Sequence, residues 1–366
     1  MTRARDVAFV REICRVGLPA RTLVQSLLPA LRTIVPSHSA GVFWVDERGG
    51  MRSLYAERML PPDAMARYHE RHAATFDGFA DAFRRRAAAT SPVSWYSFTA
   101  AEQRSDYFRD VMRPLDAYHV LYGIARDGTR PVAQVSFYRG AGDAPFDAKV
   151  AATLSSVLRY LGPALAREPA SSAADTDGIV AEEALGVVAR NGDPIAVSEA
   201  WSRMLRLVAL SSVSPGGARR EAAIVRDFVT DLVGTMLPLR AGPSEAVETA
   251  TRTLDTPWGR HTVRAWRLPD ARGRRDDQVG LLLRREEPRA VALVRGTGAS
   301  ELSPKQREVA LLLAQGRSNP EIAASLGLTV NTASYHVKQV FARLGVNDRG
   351  DIAALLLQLA QQAAAR

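Results

Sequence analysis

Residues 301–366 read ELSPKQREVALLLAQGRSNPEIAASLGLTVNTASYHVKQVFARLGVNDRGDIAALLLQLAQQAAAR, and nearly every helix in the stretch carries its own start and stop signal. Ser303-Pro304-Lys305-Gln306 supplies an N-cap serine, a proline at the first helical position and a glutamine able to close a capping box. Val309, Leu312 and Leu313 follow at helical spacing, and Gly316 stops the helix. Ser318-Asn319-Pro320-Glu321 repeats the start signal, with Ile322, Ala323 and Leu326 as the apolar stripe and Gly327 as the end. Thr329 caps a third helix that runs to about Leu344 before Gly345, and a fourth begins near Asn347. Two short helices joined by Gly327-Leu328-Thr329 predict a helix-turn-helix at about 319–344.

The third helix divides into two faces. Ala333, Val337, Val340, Phe341 and Leu344 form one apolar stripe. Asn331, Ser334, Tyr335 and Lys338 form the opposite face, which is polar and has no acidic residue. Such a face suits the DNA major groove, where base edges present distinguishable donors and acceptors. Lys338 can donate to guanine or a phosphate, Asn331 and Ser334 can reach bases, and the Tyr335 ring can lie against a thymine methyl.

Leu302–Leu357 resembles the LuxR-type helix-turn-helix domain of bacterial transcription regulators. The matching residues include Leu302-Ser303-Pro304, Arg307-Glu308-Val309, Leu312-Leu313-Ala314-Gln315-Gly316, Glu321-Ile322-Ala323, Leu326-Gly327, His336-Val337 and Arg343-Leu344-Gly345-Val346. The resemblance implies that Val330–Leu344 is the recognition helix and that Ser334, Tyr335 and Lys338 face the groove. Members often carry a basic residue at Ser334 and a valine at Ala333, so the chain departs from the pattern there. The resemblance further places Thr332 and His336 near the phosphates or the helix junction. Ser318 and Asn319 fall at the start of the preceding helix, where free amides can meet a phosphate. It assigns a dimer contact to the fourth helix, through Leu355, Leu356 and Leu359, residues that could equally cover the domain's own core.

Of the net charge of +9, only +2 belongs to residues 301–366, with seven basic against five acidic side chains. A module so weakly basic contacts few phosphates, so a homodimer on double-stranded DNA is expected. Thr2–Arg15 is charged throughout and lacks an apolar core, so it is not a signal peptide. No apolar run spans a membrane: Ile352–Ala365 is short and holds three glutamines. With Cys14 as the one cysteine, a cytoplasmic protein without membrane contact is expected.

Two composition breaks, at 166–178 and 291–300, read as linkers and divide the chain into 5–165, 179–290 and 301–362. In the first segment a helical stretch, Val7–Val35, precedes strands at Ser39–Asp46 and Met51–Glu57. A helical middle leads to strands at Tyr118–Ala125 and Pro131–Tyr138, then a closing helix, Phe146–Leu165. This order resembles a GAF domain. Phe43, Trp44, Tyr55, Trp95, Tyr96, Phe98, Tyr118, Tyr122 and Phe137 are candidates to line a small-molecule pocket in residues 5–165, or to fill a core. His69 and His72 are read as part of a solvated helix rather than a metal site, and Arg84-Arg85-Arg86 as a solvated helix end. In the second segment, strands around Asn191-Gly192, a helix at Glu199–Leu207, and strands at His261–Arg267 and Val279–Arg284 resemble a PAS-type sensor. The expected fold class is thus multidomain α+β, two sensor-type α/β domains followed by an all-α four-helix domain.

No phosphate loop, nucleophile elbow, H-E-x-x-H or Cys/His zinc spacing occurs, so neither an enzyme, a cofactor nor a metal site is expected. A signal-responsive, sequence-specific transcription regulator fits best, and RNA polymerase is a compatible partner. One competing reading is a sigma-like factor, which would need a polymerase-binding helical domain ahead of the helix-turn-helix. The other is a quorum-type regulator binding an acyl-homoserine lactone, which usually has one sensor domain.

Overall fold

The computed structural model describes residues 2–60, 62–72, 77–167, 179–189, 191–210, 218–236, 249–269 and 275–364. Two compact units result, one holding Leu18–Ser171 with Glu182–Glu286, the other including Met1–Gly17 and Glu287–Arg366. The expected stretch Val7–Val35 is two helices, α1 (Thr2–Arg15) and α2 (Ala20–Ile34). They part where Gly17 takes φ +88° and Pro19 precedes α2. Proline cannot donate the backbone bond that a continuous helix requires.

The first sheet follows as β1 (Ser39–Val45), β2 (Met51–Ala56), α3 (Pro62–Arg71), α4 (Asp77–Ala88), β3 (Val93–Ser97), β4 (His119–Asp127), β5 (Arg130–Arg139) and α5 (Ala148–Leu165). Its strand order is β2-β1-β5-β4-β3, with every registered pair antiparallel. β3 lies inside the middle expected to be helical. Alternation along the strands, read through the register, sorts the side chains cleanly. Phe43, Leu54, Tyr122, Gln134 and Tyr138 share one face, and Trp44, Tyr55, Leu121, Val135 and Phe137 the other. The second face is covered by α2 and α5, which bury Leu23, Leu27, Leu154 and Leu161.

The second sheet is built from β6 (Ile179–Ala189), β7 (Pro194–Val197), α6 (Trp201–Ala209), α7 (Ala218–Met236), β8 (Thr249–Thr256), β9 (Gly259–Pro269) and β10 (Arg275–Glu287). Its order, β7-β6-β10-β9-β8, repeats the connectivity of the first. Trp201, Met204, Leu232 and Val233 pack from α6 and α7 against Val263, Ala265, Leu281 and Leu283 of the sheet. The turn between β8 and β9 reaches into the first sheet domain. Trp258 there is 0% exposed, its Nε1 donates to the Leu210 carbonyl at 2.9 Å, and its ring lies 6.2 Å from Trp44 and 6.1 Å from Tyr55. Thr22 Oγ1 donates to the Pro257 carbonyl at 3.2 Å, and the Gln25 amide donates to that of Trp258.

The last elements are α8 (Arg289–Ala299), α9 (Pro304–Ala314), α10 (Asn319–Leu326), α11 (Val330–Leu344) and α12 (Arg349–Ala364). α8 corrects the expected linker at 291–300. Val291, Ala292, Leu293 and Val294 are buried, and a Cβ on Gly296 would stand 2.0 Å from the Leu356 carbonyl oxygen. The glycine that suggested a flexible joint lets α8 and α12 touch. α1 also packs on α8, burying Val10, Ile13 and Cys14, with Arg11 3.9 Å from Glu308. The segment expected to begin at residue 5 therefore loses its first helix to the C-terminal unit. Among the described residues no helix is long and apolar enough to cross a membrane.

Two stability predictions follow from the unit that holds both sheets. Trp258→Ala removes a fully buried indole and its hydrogen bond, and should cost about 3–5 kcal/mol in urea unfolding of the full chain. His261, buried in β9 opposite Arg285, donates through Nδ1 to the Gly259 carbonyl at 3.2 Å, and burial with the nearby Arg285 holds its pKa down to about 4. Its stability contribution is complete above about pH 6.5, where both states are neutral. As pH falls from there toward about 4 only the unfolded chain gains the proton, so stability should drop by about 1.4 kcal/mol per pH unit. His261→Gln should flatten that slope in pH-dependent unfolding.

Candidate nucleic-acid interface and small-molecule cavity

The C-terminal helices start and stop where their sequence signals lie. Ser303 with Gln306 and Ser318 with Glu321 both form reciprocal capping boxes, and the Thr329 side chain accepts from the Thr332 amide. Gly327 closes α10 at φ +61°, a left-handed conformation that glycine adopts without a Cβ clash. α10 and α11 thereby enclose a tight turn of the helix-turn-helix kind.

Ala333, Val337 and Val340 of α11 join Val309, Ala310, Leu313, Ile322, Ile352 and Leu356 in one core. Burying that stripe turns the opposite face outward. Asn331, Thr332 and Lys338 are exposed there, and Tyr335 is 59% exposed. Ser334 and His336 are half-buried, and His336 Nδ1 has no hydrogen-bond partner among the described residues.

Two polar chains fix this surface. Gln306, already holding the Ser303 amide at 2.9 Å, donates to Gln339 Oε1 at 2.9 Å. Gln339 Nε2 in turn donates to the Tyr335 hydroxyl at 2.7 Å. The phenol accepts from inside the domain and keeps its own proton to donate outward. In the second chain, Asn319 Nδ2 donates to Ser334 Oγ at 3.0 Å while Arg349 Nη2 donates to Asn319 Oδ1 at 2.8 Å. Arg349 also donates to the Arg317 carbonyl. Gln306, Gln339, Arg317 and Arg349 carry no local sequence signal for this role, because three of these bonds join segments 30 to 33 positions apart.

The expected site residues therefore divide. Asn331, Tyr335 and Lys338 stand together on the open face. Ser334 and Asn319 are engaged with each other, and the Asn319 side chain uses both ends of its amide within the domain. The Ser318 amide donates to Glu321 Oε2 at 2.8 Å and its hydroxyl at 2.7 Å, and these bonds, the amide's first, hold the Glu321 carboxyl below its usual range. Thr332 Oγ1 lies 2.8 Å from Thr329 Oγ1. Of the three leucines expected at a dimer contact, Leu356 is 0% exposed inside the domain's own core, which removes it from any surface, while Leu355 and Leu359 are half-buried.

The first sheet encloses a cavity of about 910 Å³ on its Tyr122 face. Phe43, Trp95, Tyr96, Phe98 and Tyr122 line it, as the pocket reading of these aromatics expects. Trp44, Tyr55 and Phe137 point to the other face and fill the core instead, and Tyr118 packs on Phe108 with ring centres 5.1 Å apart. His72 is half-buried rather than solvated: its Nε2 is 3.1 Å from Asp110 Oδ2, where Arg67 and Arg71 also converge. The His72 hydrogen bond is the main cause that lowers the Asp110 pKa. The side chain of His69 lies outside the described residues, and among the described residues no His, Cys, Asp and Glu cluster could hold a metal.

Residues 300–356 match the family model described as bacterial regulatory proteins, luxR family. The chain is 41% identical over 54 residues to a probable transcriptional regulatory protein, SgaR, of Hyphomicrobium methylovorum, covering 15% of this chain and 26% of that protein. It is 43% identical over 49 residues to the transcriptional regulatory protein MctR of Rhizobium johnstonii, covering 13% and 23%. The chain thus spans about a quarter of the length of these curated relatives. A crystal structure of a Vibrio cholera VqmA–ligand–DNA complex aligns at 15% identity over 48% of this chain and 82% of that one, with a TM-score of 0.21, too low to show a common fold. Residues 300–356 are a LuxR-family helix-turn-helix domain.

Proposed function

We propose that the chain is a sequence-specific, DNA-binding transcription regulator that acts as a homodimer, with the two sheet domains as GAF-like and PAS-like inputs. The observation that carries this reading is the exposed, acid-free face of Asn331, Tyr335 and Lys338 opposite the buried stripe of α11. A helix presenting such a face fits the major groove. In this reading Lys338 donates to a guanine edge, Asn331 pairs with adenine, and Tyr335 donates through its hydroxyl or packs on a thymine methyl. Ser334, held by Asn319, orients the turn and adds a base contact through its hydroxyl proton. Thr332, His336 and the α10 start at Ser318 and Asn319 meet the phosphates, with Arg317 and Arg349 beside them.

Few cations serve the domain, so pairing two copies supplies the affinity that one lacks. Leu355 and Leu359 of α12 are the proposed dimer contact. The cavity of the first sheet supports reading that domain as the signal input, and in this reading RNA polymerase is the partner through which the output acts. A ligand shifts the equilibrium between arrangements of the two recognition helices by binding one of them better.

Tyr335→Ala and Lys338→Ala should each weaken binding to a selected site by about 1–3 kcal/mol and relax its sequence preference. Equal weakening on specific and random DNA would overturn their assignment to bases. Salt titration separates the two roles of Lys338, since loss of a phosphate contact lowers the slope of log affinity against log salt by about 1.

A further inference from the structure

The cavity of the first sheet domain has an electrostatic character that its size alone does not convey. Among the described lining residues the charged side chains are Arg58, Arg86 and Arg206, with His72 beside them, and none is an aspartate or glutamate. The rest of the wall is largely aromatic and aliphatic. Phe43 and Phe79 sit 5.8 Å apart, and Tyr96 and Phe98 meet edge to face at 5.1 Å. A volume of about 910 Å³ lies within the range of sites that enclose small organic ligands.

Arg86 is the best-positioned of the cations. Its guanidinium lies 3.8 Å from the centre of the Tyr122 ring, and Nη1 donates to Gln134 Oε1 at 2.9 Å. Gln134 is itself buried and fixed by donating Nε2 to Ser136 Oγ at 3.1 Å. Both groups that hold the guanidinium are neutral, and among the described residues no carboxylate pairs with it. A partly buried guanidinium has five N–H donors in a planar fork, two of which a carboxylate matches side by side, and in a wall this apolar a monoanion is the fitting counter-charge. Tyr122 and Tyr138, whose phenols burial pushes up from their ordinary pKa, stay neutral donors on the same face.

We propose that this cavity binds an apolar monocarboxylate, with the carboxylate taken by Arg86 and the hydrocarbon part enclosed by Phe43, Phe79, Tyr96, Phe98 and Tyr122. The inference rests on the input role proposed for the first sheet domain. It gives Arg86, which the run Arg84-Arg85-Arg86 suggested as part of a solvated helix end, a specific task. The neutral lactone expected of a quorum-type regulator would leave the guanidinium without its counter-charge.

Calorimetric titration of the purified full chain, without DNA, tests this independently of the DNA-binding reading. The probes are decanoate and 2-naphthoate, which separate a flexible from a planar hydrocarbon, and the uncharged decanamide and 2-naphthamide. At least one acid should bind, with its amide tenfold or more weaker. Arg86→Gln should weaken the acid 10- to 100-fold and bring acid and amide to near equality. Binding by neither acid, equal binding of acid and amide, or unchanged acid binding in the variant would each overturn the proposal. If circular dichroism finds Arg86→Gln unfolded, Arg86→Lys decides: at least a threefold loss for the acid alone is expected, and an unchanged affinity contradicts the proposal.

Discussion

The packing of Ala333, Val337 and Val340 into the core made with α8, α9, α10 and α12 fixes the rotation of α11 about its own axis. Everything proposed for the C-terminal unit depends on that rotation. With one stripe buried, the fifteen-residue helix turns its other side outward, and the exposed residues there include Asn331, Thr332, Tyr335 and Lys338. The capping boxes at Ser303 and Ser318 keep the supporting helices short and well bounded. The Gln306–Gln339–Tyr335 chain then removes side-chain freedom from the most exposed aromatic ring before any ligand arrives. Preorganisation of this kind lowers the entropic cost of binding.

The N-terminal sheets obey the same logic with a period of two instead of 3.6. In the first sheet one set of alternating residues packs on α2 and α5, and the other set is left to form the wall of a cavity. The second sheet closes over α6 and α7 and extends the β8–β9 turn, with Trp258, into the first sheet domain. Arg203 reinforces this contact by donating to the Tyr55 hydroxyl at 3.0 Å while paired with Glu182. Because both sheets belong to one compact unit, a change of packing around the cavity has a continuous set of neighbours through which to reach the second sheet.

The capped helices α9, α10 and α11 were legible in the sequence because each carries local chemistry that holds in any tertiary context: an N-cap hydroxyl and a closing glycine, with a proline at the start of α9 and α10. The strands β1, β2, β4 and β5 were legible from their apolar runs. β8 was not, because Thr-Ala-Thr-Arg-Thr-Leu-Asp-Thr offers the core only Ala250 and Leu254 and pairs through its backbone with β9. α8 was misread because Gly296 and Gly298 resemble a joint, whereas close helix packing is also a reason to place glycine. The shared connectivity of the two sheets left no trace as a sequence repeat. Of the candidate interface, the exposed residues of α11 were legible from helical periodicity. Most of the residues that steady them were not, since the bonds from Gln306 and Arg349 join separate segments and follow no sequence period.

The central claim is that α11 reads DNA in a paired arrangement, and recovery of bound genomic fragments tests it most directly. Purified full-length protein would be mixed with sheared genomic DNA from its own source, and the retained fragments sequenced. The account predicts enrichment of a site with two-fold symmetry, whose half-sites lie about one helical turn, roughly 10 base pairs, apart or a multiple of it. Recovery of no common sequence, or of a site without two-fold symmetry, would contradict it.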